Sequence, residues 1–194
     1  MKIFIRIAIV FLIIYLLWFA YKRYIKMNIS NNGIKFIKGL EGFRNKAYKD
    51  SKGLWTTGVG HLIKPNEQEL ITKVLTDQEV EDLLEKDLKE FEDAANAGIR
   101  VPVSQHEYDA IVSIAFNIGK EWVDGDGYRD SGFLADINWK KGKEKTLHDI
   151  MLFRHPPELL GRRAKEARLF DKGNYDWKYI ASNEVDYYAK VNLA

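Results

Sequence analysis

The most pronounced pattern in the chain comes first. From Ile3 to Tyr21 every residue is apolar or aromatic except Arg6, and no face of the segment is polar. As a helix those residues rise roughly 28 Å, about the hydrocarbon thickness of a bilayer. Arg6 stands one turn from the start, where its stem can carry the charge back to the headgroups. Trp18, Tyr21 and Tyr24 fall where interfacial aromatics belong. A cleaved signal peptide needs a small-x-small site, and Leu17-Trp18-Phe19 occupies that place instead. A retained membrane helix over residues 3–21 is therefore expected, with Asn28 to Gly33 as a short polar linker behind it.

The rest of the chain alternates helical and strand signals. Ile34, Ile37 and Leu40 share one face of a helix from near Ser30 to Leu40. Two short stretches, Ala47–Asp50 and Leu54–Val59, flank Ser51-Lys52-Gly53 and read as a hairpin. Thr76-Asp77-Gln78-Glu79 is a capping box opening a long helix with the stripe Val80, Leu83, Leu84, Leu88 and Phe91, closed by Gly98. Ser104 to Glu107 repeats the cap before a helix through Tyr108, Ile111, Val112, Ala115 and Phe116, ended by Gly119. Residues 120–132 read as loop, and further helices are expected over 132–138, 144–153 and 158–171. Pro156-Pro157 punctuates the last two. The pattern predicts an α+β domain, mostly helical, with one small antiparallel sheet near its start.

Charge changes the picture only once it is divided. The net charge is +2, but Lys2, Arg6, Lys22, Arg23 and Lys26 give residues 1–27 a charge of +5 and leave −3 on residues 28–194. A nucleic-acid-binding body is usually basic, so no nucleic-acid partner is expected. The chain has no cysteine, which excludes a disulfide scaffold, a thiolate metal site and a cysteine nucleophile. His61, His106, His148 and His155 are scattered without metal-ligand spacing, and neither metal nor cofactor is expected. Asp124, Asp126 and Asp130 lack the glycine and terminal glutamate of a calcium loop. Lys140-Lys141-Gly142-Lys143-Glu144-Lys145 reads as a solvated face or as a contact for an anionic polymer.

The candidate chemistry lies between Glu41 and His61. Glu41 ends an apolar helix, where neighbours can desolvate a carboxyl and suit it to act as a general acid. Asp50 belongs to a polar turn that keeps a carboxylate ionised. Two carboxyls in contrasting settings are what glycoside hydrolysis uses. Thr56, on the second strand, offers a neutral hydroxyl for orienting water. By residue type alone this is only a candidate pair, since most Glu/Asp pairs are solvated surface groups.

The spacing carries a resemblance. Glu41, Asp50 and Thr56, set within Glu41-Gly42, Ala47-Tyr48-Lys49-Asp50 and Gly53-Leu54-Trp55-Thr56-Thr57-Gly58-Val59-Gly60-His61, resemble the catalytic stretch of the phage-type lysozymes, glycoside hydrolase family 24. Phe116-Asn117-Ile118-Gly119 is similar to that family's second motif, and Arg162-Arg163 with Glu166, Leu169-Phe170 and Gly173 to its C-terminal helix. The likeness covers about residues 30–177. It implies a lysozyme-like fold and a muramidase cutting the β-1,4 bond between N-acetylmuramic acid and N-acetylglucosamine in peptidoglycan. It further implies Glu41 as the acid, Asp50 as the charge-stabilising carboxylate that helps activate water, and Thr56 as the water-positioning hydroxyl, in an inverting arrangement.

Other positions follow from the same likeness. Asn117 corresponds to a substrate-contacting position, with helix capping beside Gly119 as the alternative. Arg162 stands where the family keeps an arginine near the acid, and Arg163 takes that place if the register shifts by one. His61 is expected as a supporting, hydrogen-bonded residue. The membrane segment with such a body resembles the signal-anchor endolysins of phages that infect Gram-negative hosts. The organisation expected is an anchor over 1–27, a linker over 28–33, a catalytic domain over 34–177 and a C-terminal extension over 178–194. The corresponding protein is a single-pass inner-membrane monomer with its body in the periplasm, acting on glycan strands in phage lysis. A wall-opening enzyme of an envelope machine, a lytic transglycosylase and a non-catalytic wall-binding module are the competing readings.

Overall fold

The computed structural model describes residues 2–24, 26–120 and 132–191, so the expected loop from Trp122 to Ser131 lies outside the described residues. Its first helix, α1 (Lys2–Tyr24), exposes Phe4, Ile7 and the run from Ile9 to Leu17. Among the described residues no helix is long and apolar enough to cross a membrane. Within α1 the described side chains are Phe4 and the twelve residues 6–17, against the about 20 that a span requires. Trp18, Tyr21 and Tyr24, expected as interfacial aromatics, have side chains outside that range.

The body begins earlier than the sequence pattern implies. Residues 28–33, expected as a polar linker, are packed down instead. Met27 N–H donates to Asn96 Oδ1 at 2.8 Å and its carbonyl accepts from Asn96 Nδ2 at 2.8 Å. Ile29 is buried, and its N–H reaches the buried Glu92 carboxylate at 2.5 Å. Ser30 caps α2 (Asn31–Glu41) by accepting from Gly33 N–H, while its own N–H and hydroxyl bond the fully buried Asp109. The segment docks because buried carboxylates need donors, and its backbone supplies them.

α2 ends at Glu41, where Gly42 adopts φ 70°, a conformation that a side chain would oppose, and turns the chain into the sheet. That sheet is antiparallel: β1 (Arg44–Lys49), β2 (Trp55–Gly58) and β3 (His61–Leu62), in that order. Tyr48 lies opposite Thr56, and Thr56 in turn opposite Leu62. β3 has no counterpart in the sequence reading, because two residues are too few to show alternation. A 3-10 turn at Gln68–Ile71 then leads to α3 (Asp77–Gly98). The Thr76/Glu79 capping box is formed as the sequence indicates. Val80, Leu84 and Leu88 are buried, with Leu83 and Phe91 half-buried at the margin.

α4 (Gln105–Ile118) runs through the centre, buried from Tyr108 to Ala115. α2, α3 and α7 (Leu160–Lys172) pack directly on it, α6 (Lys143–Leu152) and α8 (Ser182–Ala189) pack on α7, and α5 (Gly132–Asn138) packs on α6. α8 falls in the expected C-terminal extension, yet it belongs to the core. Tyr188 is fully buried against α7 and bonds Asp171. Trp177 lies so close over Gly39 that a Cβ there would meet its ring at 2.1 Å. The lysine run after α5 also has a structural role. Lys141 pairs with Asp136 at 3.2 Å, Lys143 with Asp171 at 3.0 Å and Lys145 with Asp149 at 2.5 Å.

Candidate active site

Glu41 is delivered by the last turn of α2 and keeps a side-chain exposure of 28%. No apolar pocket of the kind expected encloses it. Its Oε1 accepts instead from Arg162 Nη1 on α7 at 2.7 Å, across 121 positions of sequence. Arg162 is itself divided, since its Nε donates to Glu166 Oε1 at 3.1 Å. Glu166 is fully buried and also accepts from Ser113 Oγ on α4 at 2.7 Å and from Arg163 Nη1.

Arg163, again fully buried, completes the network with bonds to the Phe153 carbonyl at 3.0 Å and to Asn117 Oδ1. Burial pulls the Arg163 guanidinium below its usual pKa, and Glu166 opposes that pull. The two arginines thus have separate places: Arg162 faces Glu41, and Arg163 holds the interior. Asn117 commits its carbonyl oxygen to Arg163, and the helix end beside it is capped by the Gly119 N–H to Ala115, not by its side chain.

Asp50 organises the hairpin turn. Its Oδ1 accepts from Lys52 N–H at 2.8 Å and from Leu54 N–H at 2.9 Å, while its N–H donates to the Leu54 carbonyl. This is an Asx turn, and it fixes the carboxylate by backbone geometry. Thr56 is buried on β2, and its hydroxyl donates to the Leu54 carbonyl at 3.3 Å. Asp50 and Thr56 are therefore both tied to Leu54, the residue between them.

His61 is a brace. Nδ1 contacts Asp87 on α3 at 2.8 Å and Nε2 contacts Glu67 at 3.1 Å, with the side chain 4% exposed. Each ring nitrogen thus faces a carboxylate, one on α3 and one on the turn after β3. The carboxylates differ in setting. Burial outweighs the ion pair and pushes Asp87 up, whereas the Lys64 N–H holds Glu67 down. Since Thr57 lies opposite His61 and Thr56 opposite Leu62, the brace ties the strand carrying Thr56 to α3.

Sequence reasoning missed Glu166 and Ser113 as supports of Arg162, and Asp87 and Glu67 as partners of His61. The first had a readable signal: Glu166 stands i+3 and i+4 from the two arginines on one helix. Ser113, Asp87 and Glu67 carried none. Among the described residues no cluster of His, Asp or Glu is arranged to hold a metal ion.

A helical body, a three-stranded lobe and an exposed glutamate paired with an arginine at their junction define a lysozyme-like glycoside hydrolase. Residues 38–166 match the phage lysozyme family, and the chain belongs to it. It is 38% identical over 150 residues to an endolysin of Salmonella phage P22, covering 74% of this chain and 98% of that one. The crystal structure of a P22 lysozyme mutant superposes with a TM-score of 0.66 at 38% identity, over 74% of this chain and 98% of that chain. The muramidase domain of SpmX from Asticaccaulis excentricus follows at 0.61 and 29% identity, over 74% and 97%. A shorter likeness, 36% over 92 residues and 47% of each chain, joins it to a SAR-endolysin of Haemophilus phage HP1. The chain is thus an enzyme of the muramidase class.

Proposed function

We propose that this muramidase hydrolyses the β-1,4 bond between N-acetylmuramic acid and N-acetylglucosamine in peptidoglycan, with Glu41, Asp50 and Thr56 as its catalytic residues. The observation that carries the reading is the solvent-reaching Glu41 carboxyl held by Arg162 at the end of α2, directly ahead in the chain of the hairpin that bears Asp50 and Thr56. Glu41 gives its proton to the departing glycosidic oxygen as the C1–O bond breaks. Water attacks C1 and its proton passes to Asp50, whose charge also stabilises the oxocarbenium-like transition state. Thr56 has its own proton on Leu54, so its oxygen is left to accept from that water. Arg162 orients Glu41 while Glu166 shares its charge.

The same proposal places the enzyme on the inner membrane of a Gram-negative cell, residues 3–21 spanning once and the body in the periplasm, serving phage lysis as a monomer. Three observations support the anchor: a continuous 23-residue helix over Lys2–Tyr24, the exposure of its described apolar side chains, and the likeness to a SAR-endolysin. The body's position outside the cytoplasm follows from where peptidoglycan lies.

The test compares the full chain in detergent with Glu41→Gln on purified peptidoglycan, with product masses as the readout. Reducing-end muropeptides from the parent and a loss of about 10²–10⁴-fold in the variant are expected. Anhydro products would turn the assignment into a transglycosylase. A folded parent that binds wall and releases nothing would overturn hydrolysis.

A further inference from the structure

A groove of about 470 Å³ opens beside the last two turns of α2. On the α2 side it is lined by Lys35, Lys38, Gly39 and Gly42, which recur at the spacing of one helix face. Glu41 leaves the same helix about a third of a turn away and goes to Arg162 on α7, so the groove is not part of the acid's own setting. The opposite wall holds Trp177 and Lys178, from the loop behind α7. Phe43 and the first turn of α3 close the end.

Two features give the groove its chemistry. The first is aromatic. Gly39 lets Trp177 lie on bare backbone, since a Cβ there would meet the indole at 2.1 Å. Phe43 is 41% exposed beside it. The second is unspent charge. Lys38 gives its charge to Glu81 at 3.1 Å and Asp77 at 3.9 Å. Lys35 and Lys178 are exposed, and among the described residues neither meets a carboxylate. Lys178 Nζ stands 5.4 Å from the Trp177 ring centroid instead. Two available cations thus flank an aromatic slot on a body that is acidic as a whole.

A neutral sugar ring would leave both lysines without a partner. The stem peptides of peptidoglycan are short, rich in alanine, and carry more free carboxylates than amines. Their carboxylates match Lys35 and Lys178, and their methyl groups match Trp177 and Phe43. Asp77, with a side chain 73% exposed, stands ready for an amine.

We propose that this groove binds the carboxylate-bearing stem peptides of peptidoglycan, so that the enzyme holds the wall with one face and cuts it with another. The choice of a wall peptide rests on the muramidase reading; an affinity for carboxylate peptides does not. Exposed ion pairs are weak singly, so one free peptide is held loosely, at about millimolar Kd. A sacculus repeats the peptide many times and is held by that repetition.

The test uses the full chain in detergent, labelled with 5-fluorotryptophan and carrying Glu41→Gln so that strands stay intact. It is titrated with the free tetrapeptide L-Ala-D-Glu-diaminopimelate-D-Ala and, separately, with peptide-free glycan strands. The chain has five tryptophans, and Trp177→Phe assigns the fluorine signal of that one. Binding predicts that the tetrapeptide moves the Trp177 signal to saturation and leaves that of Trp55, on the hairpin, in place. Lys35→Glu with Lys178→Glu weakens the response severalfold and unfolds at the parent's temperature. With Glu41 restored, the charge-reversed chain cleaves whole sacculi severalfold more slowly than the parent and peptide-free strands at the same rate.

A Trp177 signal that several millimolar tetrapeptide does not move overturns the site. An equal response to peptide-free strands overturns the choice of peptide and makes the groove a sugar site. A matching shift at Trp55 overturns the separation from the hairpin, and a full response in the charge-reversed chain overturns the role of the two lysines. Equal rates on sacculi despite lost binding overturn the wall-holding role. A parent that cleaves nothing overturns only hydrolysis, since the fluorine signal reports without it.

Discussion

The two halves of the site are held by different kinds of bond. On the helical side, Glu41 is fixed through charge: Arg162 binds it, Glu166 binds Arg162, and the fully buried Arg163 binds Glu166 and Asn117. On the sheet side, Asp50 and Thr56 are fixed by main-chain hydrogen bonds around Leu54, with one side-chain brace, His61, set further back. A buried charge network is unforgiving, because removing one member leaves the others uncompensated. A turn held by backbone groups has no single side chain on which everything depends, apart from Asp50 itself.

Glu166→Gln should therefore give the largest loss of stability. It keeps the shape and strands the Arg163 charge in the interior, costing about 3–5 kcal/mol, or on the order of 10 °C in Tm. Below its unfolding temperature it should also lower kcat, because Arg162 loses the anchor that aims it at Glu41. Thermal unfolding and initial rates measure the two together. A variant as stable as the parent would mean that the helical side is not held by charge.

His61→Asn tests the other half. Asparagine can donate toward only one of the two carboxylates, so the brace opens on one side. The expected cost is about 1.5–3 kcal/mol, smaller than for Glu166 because Glu67 stays partly solvated and loses less when freed. Denaturant unfolding gives the value. A cost exceeding that of Glu166→Gln would reverse the comparison between the lobes.

How much of this was legible follows from how far each interaction reaches along the chain. The two capping boxes and the hairpin are set by residues within a few positions of one another, and the sequence displays them. The stretch from Glu41 to Thr56 is likewise short and continuous. The supports are another matter. Arg162 meets Glu41 across 121 positions, and Ser30 meets Asp109 across 79. No periodicity announces such pairs. α8 was hidden for a related reason: Tyr188 is buried through its fit against α7, which no local pattern records. The lysine run after α5 shows the limit plainly, since it looks like solvated charge until Asp136, Asp149 and Asp171 are known as its partners.

The smallest expected effect concerns the segment that joins α1 to the body, and its sign can be worked out. Glu92 is buried and receives the Ile29 N–H, and burial raises its pKa above the usual carboxylate range. A raised carboxyl pKa means that folding favours the protonated form. The contribution to stability is then full below the unfolded pKa and is lost as pH rises through the folded one. Glu92→Gln fixes the neutral form and keeps an oxygen for Ile29. The variant should match the parent in acid and gain on it toward neutral pH, by about 1 kcal/mol or less, a typical size for a substitution that keeps shape and hydrogen bond. Unfolding measured at several pH values reads the slope of that difference. A gap that stays flat with pH would mean that Glu92 is held by a compensating cation after all, and would place the docked segment with the charge-held half of the molecule.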